Sequence, residues 1–152
     1  MTADPESRIL MLPPIDEIIA NFELLDDSND RLEYLIELGR MADPLPPEKM
    51  TEENRVRGCA SQVWLDTIVE PAEVAPLLRF HGDSDAIITR GIVALIGAIF
   101  SGRTPEDIER IDAIQIFRDI GIGDHLTAQR SNGARSMMER IKRDARAALA
   151  GA

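Results

Sequence analysis

Cys59 is the only cysteine in a chain of 152 residues, and its neighbours decide what chemistry a lone thiol could perform. The thiolate is the nucleophile, and a cation close to the sulfur favours it. Arg55 and Arg57 lie just before Cys59, and Glu52 and Glu53 lie close enough in sequence to oppose them, so the charge balance at the sulfur stays open. Gly58 immediately precedes the sulfur and permits a backbone that a regular core strand would not need. The plain alternative is that Cys59 is a small buried hydrophobe.

Spacing removes several cysteine chemistries. One cysteine forms no internal disulfide, no Cys-x-x-Cys redox pair and no zinc site of the paired-cysteine kind. A phosphatase loop would place an arginine where Leu65 stands. A cysteine hydrolase needs a histidine base, so His81 or His125 would have to fold beside Cys59. Each has an ordinary structural role open to it, His81 at a strand end and His125 as a satisfied loop or core residue.

The elements that must hold Cys59 follow from periodicity. Ile15, Ile18, Ile19, Phe22 and Leu25 recur at helical spacing between Pro13-Pro14 and the polar stretch from Asp26 to Asn29. A second helix is expected from about Asp30 to Arg40, with Ser28 placed to cap it. Pro44, Pro46 and Pro47 forbid its continuation. From Arg55 to Val69, branched and aromatic residues alternate, which predicts a strand with Cys59 at its mouth. A second strand is expected at Leu77 to Phe80, followed by a turn over His81-Gly82-Asp83-Ser84-Asp85 whose Asp and Ser side chains can cap the next helix.

That next helix, Ala86 to Phe100, is apolar almost all round and belongs in the centre of the fold. Thr104-Pro105-Glu106-Asp107 starts another, with cap, first-turn proline and acids in order. Ile111 to Ile120 is a short helix, and a final one runs from about Asn132 to Leu149. Two or three short antiparallel strands packed on helices make the fold class α+β.

Composition bounds the partners. The chain carries 17 Lys+Arg and 27 Asp+Glu, a net charge of -10. Residues 1–70 hold 16 acids and 6 bases and residues 71–152 hold 11 of each, so the whole deficit lies in the first part. The C-terminal segment is locally basic through Arg130, Arg135, Arg140, Lys142, Arg143 and Arg146. Nucleic acid is a poor partner for such a chain, because the acidic remainder repels a polyanion. A protein partner with a mixed-charge face fits better. The longest apolar run, Gly91 to Phe100, is about half of the roughly 20 residues a membrane span needs. With no signal-like N-terminus and a lone thiol, the expected location is the cytoplasm.

The segment Val56-Arg57-Gly58-Cys59-Ala60-Ser61-Gln62-Val63-Trp64 closely resembles the sulfur-acceptor signature V-x-G-C-x-S-x-V-W of the SufE family. Supporting segments occur in the family's order. They are Glu37-Leu38-Gly39, Gly82-Asp83-Ser84-Asp85, Arg90-Gly91, and His125-Leu126-Thr127-Ala128-Gln129-Arg130-Ser131-Asn132-Gly133, the last of which resembles H-L-T-x-x-R-S-x-G. The resemblance covers about Pro13 to Leu149. It departs in the first dozen residues, which look like a flexible extension of a single SufE-like domain spanning the chain, and at Glu70 to Pro76, where two prolines suggest a longer link between strands.

The resemblance implies a fold shared with IscU-type cluster scaffolds, although one cysteine suits a carrier and not a scaffold. It implies a sulfur-transfer accessory protein. Such a protein accepts persulfide sulfur from a SufS-like cysteine desulfurase, stimulates it, and delivers the sulfur to a SufB-like iron-sulfur cluster scaffold or, as in the CsdE branch, another acceptor. Cys59 is the implied acceptor, with Arg57, Gly58, Ser61, Asp85 and Arg130 supporting its loop or docking the partner. For Asp85 a helix cap is the competing structural role. No cofactor or metal is implied for this chain, the pyridoxal phosphate belonging to the desulfurase. From a different class, the alternative is a non-catalytic interaction module with an incidental cysteine.

Overall fold

The computed structural model describes residues 12–151. Among the described residues there are six α-helices and one antiparallel hairpin. In chain order they are α1 (Ile15–Glu23), α2 (Ser28–Met41), a 3-10 turn (Pro47–Lys49), β1 (Val63–Glu70), β2 (Leu77–Ser84), α3 (Ile87–Phe100), α4 (Pro105–Arg110), α5 (Ala113–Asp119), a 3-10 turn (Gly123–His125) and α6 (Ala128–Ala150). The α+β class expected from periodicity is the one observed. The N-terminal extension, up to residue 11, lies outside the described residues.

Helix α3 is central, as its all-round apolarity demands. Residues from Gly91 to Gly97, with Ile99 and Phe100, are buried in it. It packs against α2 on one side and β2 on the other. Contact with α2 is backbone-close: a Cβ on Gly39 would come within 2.8 Å of the Gly91 nitrogen, and one on Gly91 within 2.9 Å of the Leu35 carbonyl carbon. Two of the short segments that carried the family resemblance therefore meet at one helix crossing.

The hairpin pairs Val63 with Ser84 through Glu70 with Leu77, and this corrects two expectations. Residues 55–62 are not strand. Gly58 has a φ of +91°, a left-handed conformation that breaks a ladder and that glycine alone adopts without penalty. Only a stub returns to the sheet: Arg55 bridges Trp64, and the Val56 N–H donates to the Val63 carbonyl at 2.9 Å. In the other direction, β2 runs on through Ser84, where a turn from His81 was expected. Gly82 pairs with Leu65 within the strand, at a position where a side chain would meet Val93 and the Trp64 carbonyl.

Asp83 also proves structural. It is 4% exposed, and a carboxylate that deep must be paired. It accepts the Leu45 N–H at 2.9 Å and the Ser84 N–H at 2.8 Å, and its Oδ1 lies 3.4 Å from Arg90 Nε. One side chain thus ties the end of β2 to the segment after α2 and to α3.

Helix starts were partly misplaced from sequence. Asp27 caps α2, accepting the Asn29 N–H at 2.7 Å. Ser28, expected as the cap, is the first helical residue, and its hydroxyl meets His125 Nε2 at 3.0 Å. Helix α6 begins at Ala128, ahead of the expected Asn132, because Thr127 caps it and accepts the Arg130 N–H at 3.2 Å. Helix α4 is capped by Thr104, with Pro105 in its first turn, as expected. Gly133, Ala134, Met137, Ile141 and Ala145 form the buried stripe of α6, near the four-residue spacing that keeps one helix face inward.

Candidate functional site

Cys59 rides a loop pinned at both ends. Upstream, the Leu65 N–H donates to the Asn54 carbonyl at 2.8 Å, and Val56 is bonded to Val63. Downstream, the Gln62 N–H donates to Asp85 Oδ1 at 3.0 Å, and the Asp85 N–H donates to the Gln62 carbonyl at 3.3 Å. Between the pins the left-handed Gly58 turns the chain, packed so closely that a side chain at position 58 would run into Ser136 of α6. Cys59 follows, half-buried, and its thiol donates to the Gly133 carbonyl of α6 at 3.7 Å.

The sulfur faces a half-open cavity of about 610 Å³, walled by the loop, by the first turns of α3 and α6, and by Val63, Ile92 and Met137. The walls are mainly apolar. Arg130 is the one charged side chain lining it among the described residues. At the rim, Ile87 stands 63% exposed, an apolar anchor beside the mouth of the kind that marks a docking surface when several such groups adjoin. Ala60, which lines the same cavity, is also exposed.

Electrostatics at the sulfur differ from the sequence expectation. Burial pushes the Cys59 thiol above its ordinary pKa, because desolvation disfavours the anion. Neither nearby arginine counters this. Arg57 Nη2 donates to Glu52 Oε2 at 2.8 Å, and Arg55 Nη1 lies 3.9 Å from the other oxygen of that carboxylate. Both cations therefore turn to Glu52, out in solvent. The amino ends of α3 and α6 at the cavity favour negative charge, whereas burial favours the protonated thiol.

The other residues singled out from sequence fall into three places. Ser61 and Arg130 line the cavity with Cys59. The Ser61 hydroxyl is 3.5 Å from that of Thr89 in the first turn of α3, and Arg130 Nη1 donates to the His125 carbonyl at 3.1 Å. Gly58 shapes the loop, and Asp85 holds its downstream end. Asp85 is not a helix cap: Ala86 occupies that position on α3 and no side chain caps it. Arg57 points away from the sulfur.

Both histidines are engaged elsewhere. His81 Nε2 donates to the Asp43 carbonyl at 2.8 Å and His125 Nε2 to the Ser28 carbonyl at 2.8 Å. Neither lines the cavity, so the base a Cys-His hydrolase needs is missing from it. Among the described residues no group of three or more His, Cys, Asp or Glu could hold a metal, and no helix is long and apolar enough to cross a membrane.

Sequence reasoning missed Gly133, Ser136 and Ile87. Gly133 stood in a quoted segment, and a glycine within a helix is itself a signal of close packing. Ser136 and Ile87 carried no signal, since their importance comes only from what folds against them.

A family model described as SufE: Fe-S metabolism associated domain matches residues 16–145. The chain is 50% identical over 135 residues to an uncharacterized SufE-like protein of Rhizobium meliloti, covering 89% of this chain and 96% of that one. It is 46% identical over 142 residues to another from Rhizobium etli, covering 93% and 96%. A solution structure of a hypothetical protein from Thermus thermophilus superposes with a TM-score of 0.69 at 22% identity, covering 92% of this chain and 99% of that one. That likeness concerns the fold.

Proposed function

Because this chain belongs to the SufE family and so to proteins associated with Fe-S metabolism, we propose that it is a sulfur carrier whose acceptor is Cys59. Its donor is the persulfide of a SufS-like, pyridoxal-phosphate-dependent cysteine desulfurase, and its recipient is a SufB-like cluster scaffold or another acceptor thiol. The observation that carries this is a single thiol lining an apolar cavity, on a loop turned by a left-handed glycine. Persulfide exchange needs an accessible thiolate and little else.

The step balances without an external oxidant. Cys59 loses its proton to solvent, and the thiolate attacks the outer sulfur of the donor persulfide. A bond forms between Cys59 Sγ and that sulfur while the bond to the donor cysteine breaks, and the donor cysteine leaves as a thiolate. Delivery repeats the exchange onto the recipient. Ser61 and Arg130 line the place where the transferred sulfur arrives.

The test is to incubate the protein with a cognate desulfurase and cysteine. Cys59 should gain the mass of one sulfur and desulfurase turnover should rise. Cys59→Ser should do neither, since a hydroxyl forms no persulfide. A serine variant that stimulates the desulfurase as strongly as the parent under limiting reductant would overturn the assignment.

A further inference from the structure

Gly133 lies directly under the acceptor residue. A Cβ there would stand 3.3 Å from Cys59 Sγ, 3.7 Å from its Cβ and 3.8 Å from its Cα, so the whole of Cys59 leans on this one position. The Gly133 carbonyl is also the acceptor for the thiol, at 3.7 Å. One turn further along the same face, Ser136 lies against Gly58. Residues three apart on a helix are neighbours on its surface, so Gly133 and Ser136 form a bed on which Gly58 and Cys59 rest. Glycine within a 23-residue helix is locally unfavourable, and the three atoms nearest to where its side chain would stand all belong to Cys59.

We propose that Gly133 is the positioning residue for the acceptor thiol: its bare Cα lets the Cys59 sulfur settle against α6, its carbonyl takes the S–H bond, and a partner must lift the sulfur off Gly133 to use it. This rests on Cys59 being the acceptor. An acceptor carbonyl facing the sulfur favours the protonated form, so the seated thiol is a poor nucleophile. Once a second sulfur is attached, the inner sulfur has no proton to donate and the bond to Gly133 is gone. The empty loop is therefore held where the loaded loop is not.

The charged groups around Cys59 are few enough to make a pH experiment interpretable. Arg130 lines the cavity from α6, α3 contributes none to it, Arg57 is paired with Glu52, and Asp85 is engaged by the Gln62 N–H. Gly133→Ala improves helix propensity but crowds the sulfur. In the folded variant, alkylation of Cys59 by iodoacetamide should be faster near neutral pH, and its pH–rate profile should move down. The gain is roughly three- to fourfold for each unit of movement, since the thiolate fraction rises while its nucleophilicity falls. A folded Gly133→Ala protein with the parental rate and profile would overturn the proposal.

A second measurement needs no variant. With one cysteine, the parent protein has one S–H stretching band in its Raman spectrum. It should lie at the lowered frequency of a hydrogen-bonded thiol and shift to the free position when a desulfurase lacking its own nucleophile is added. A free-thiol band in the isolated protein would also overturn the proposal. Sulfur transfer to Cys59, scored on the same preparation, separates the two ideas. Transfer with a free-thiol band removes only the role of Gly133, whereas absent transfer removes the acceptor assignment.

Discussion

Asp85 and Gln62 hold each other twice: the Gln62 N–H donates to Asp85 Oδ1 at 3.0 Å, and the Asp85 N–H returns a bond to the Gln62 carbonyl at 3.3 Å. The pair sits one step beyond the first ladder pair, Val63 with Ser84, and is where the Cys59 loop is fastened to the sheet. A side chain thus extends the hairpin to the foot of the loop.

Asp85→Ala removes one of those two bonds. The loss is about 1 kcal/mol, concentrated on the loop because the core does not touch this side chain. Cys59 in the variant should be alkylated faster than in the parent at equal pH, with a nearly unchanged thermal midpoint. Asp85→Asn keeps an oxygen acceptor and should recover most of the protection. Equal labelling rates in Asp85→Ala and the parent would show that Gln62 is held by its carbonyl alone.

Gly58→Ala meets two obstacles. The position has a φ of +91°, and the added methyl meets Ser136. A non-glycine residue in left-handed backbone costs about 1–2 kcal/mol, and the contact adds to it. The variant should unfold at lower urea and accept sulfur poorly. Gly58→Ala combined with Ser136→Gly should regain part of the stability, because the contact is relieved and the backbone strain is not. Chemical denaturation of the three proteins checks this.

The raised pKa of Cys59 has a definite sign in stability. In the unfolded chain the thiol ionises first, so above the ordinary thiol pKa the native state binds more protons than the unfolded one. The contribution of burying Cys59 as a neutral thiol is complete below that pKa and declines as pH rises through it toward the raised folded value. The difference in urea midpoint between parent and Cys59→Ser should be constant at lower pH and change only across that window. Arg57→Gln should leave the alkylation profile of the free protein in place, since the guanidinium is bound to Glu52. A profile shifted upward in Arg57→Gln would show that the cation reaches the sulfur.

Association with a desulfurase should be salt-dependent. Arg57 and Arg143 are largely exposed and border a recess beside the loop with Arg55 and Arg140, whereas the first half of the chain is acidic. Such an uneven field steers encounter. The on-rate should fall about tenfold or more between low and high salt, with little change in the off-rate. Stopped-flow association across a salt series decides it, and a flat on-rate would place the binding energy in the apolar rim around Ile87.

Local sequence determined a great deal of this protein. Hydrophobic period placed α1, α2 and α3, and prolines ended the second helix, because helix propensity, capping and turn chemistry act over a few residues; Cys59 was marked by the resemblance of the segment from Val56 to Trp64 to the family's signature. Its errors arose where a distant group wins. Alternation from Arg55 to Val69 predicted a strand, but Gly58 folds back onto α6. The stretch from His81 to Asp85 carries turn residues, yet His81 to Ser84 continue β2 because Trp64 and Asp66 offer a partner ladder and Asp83 finds Leu45 and Arg90. The protonation of Cys59 belongs to the same class. In sequence it stands beside two arginines; in space those arginines meet Glu52, and the sulfur meets a cavity wall and the carbonyl of a residue 74 positions away. Burial and long-range charge depend on which surfaces close over a group, and only the tertiary structure decides that.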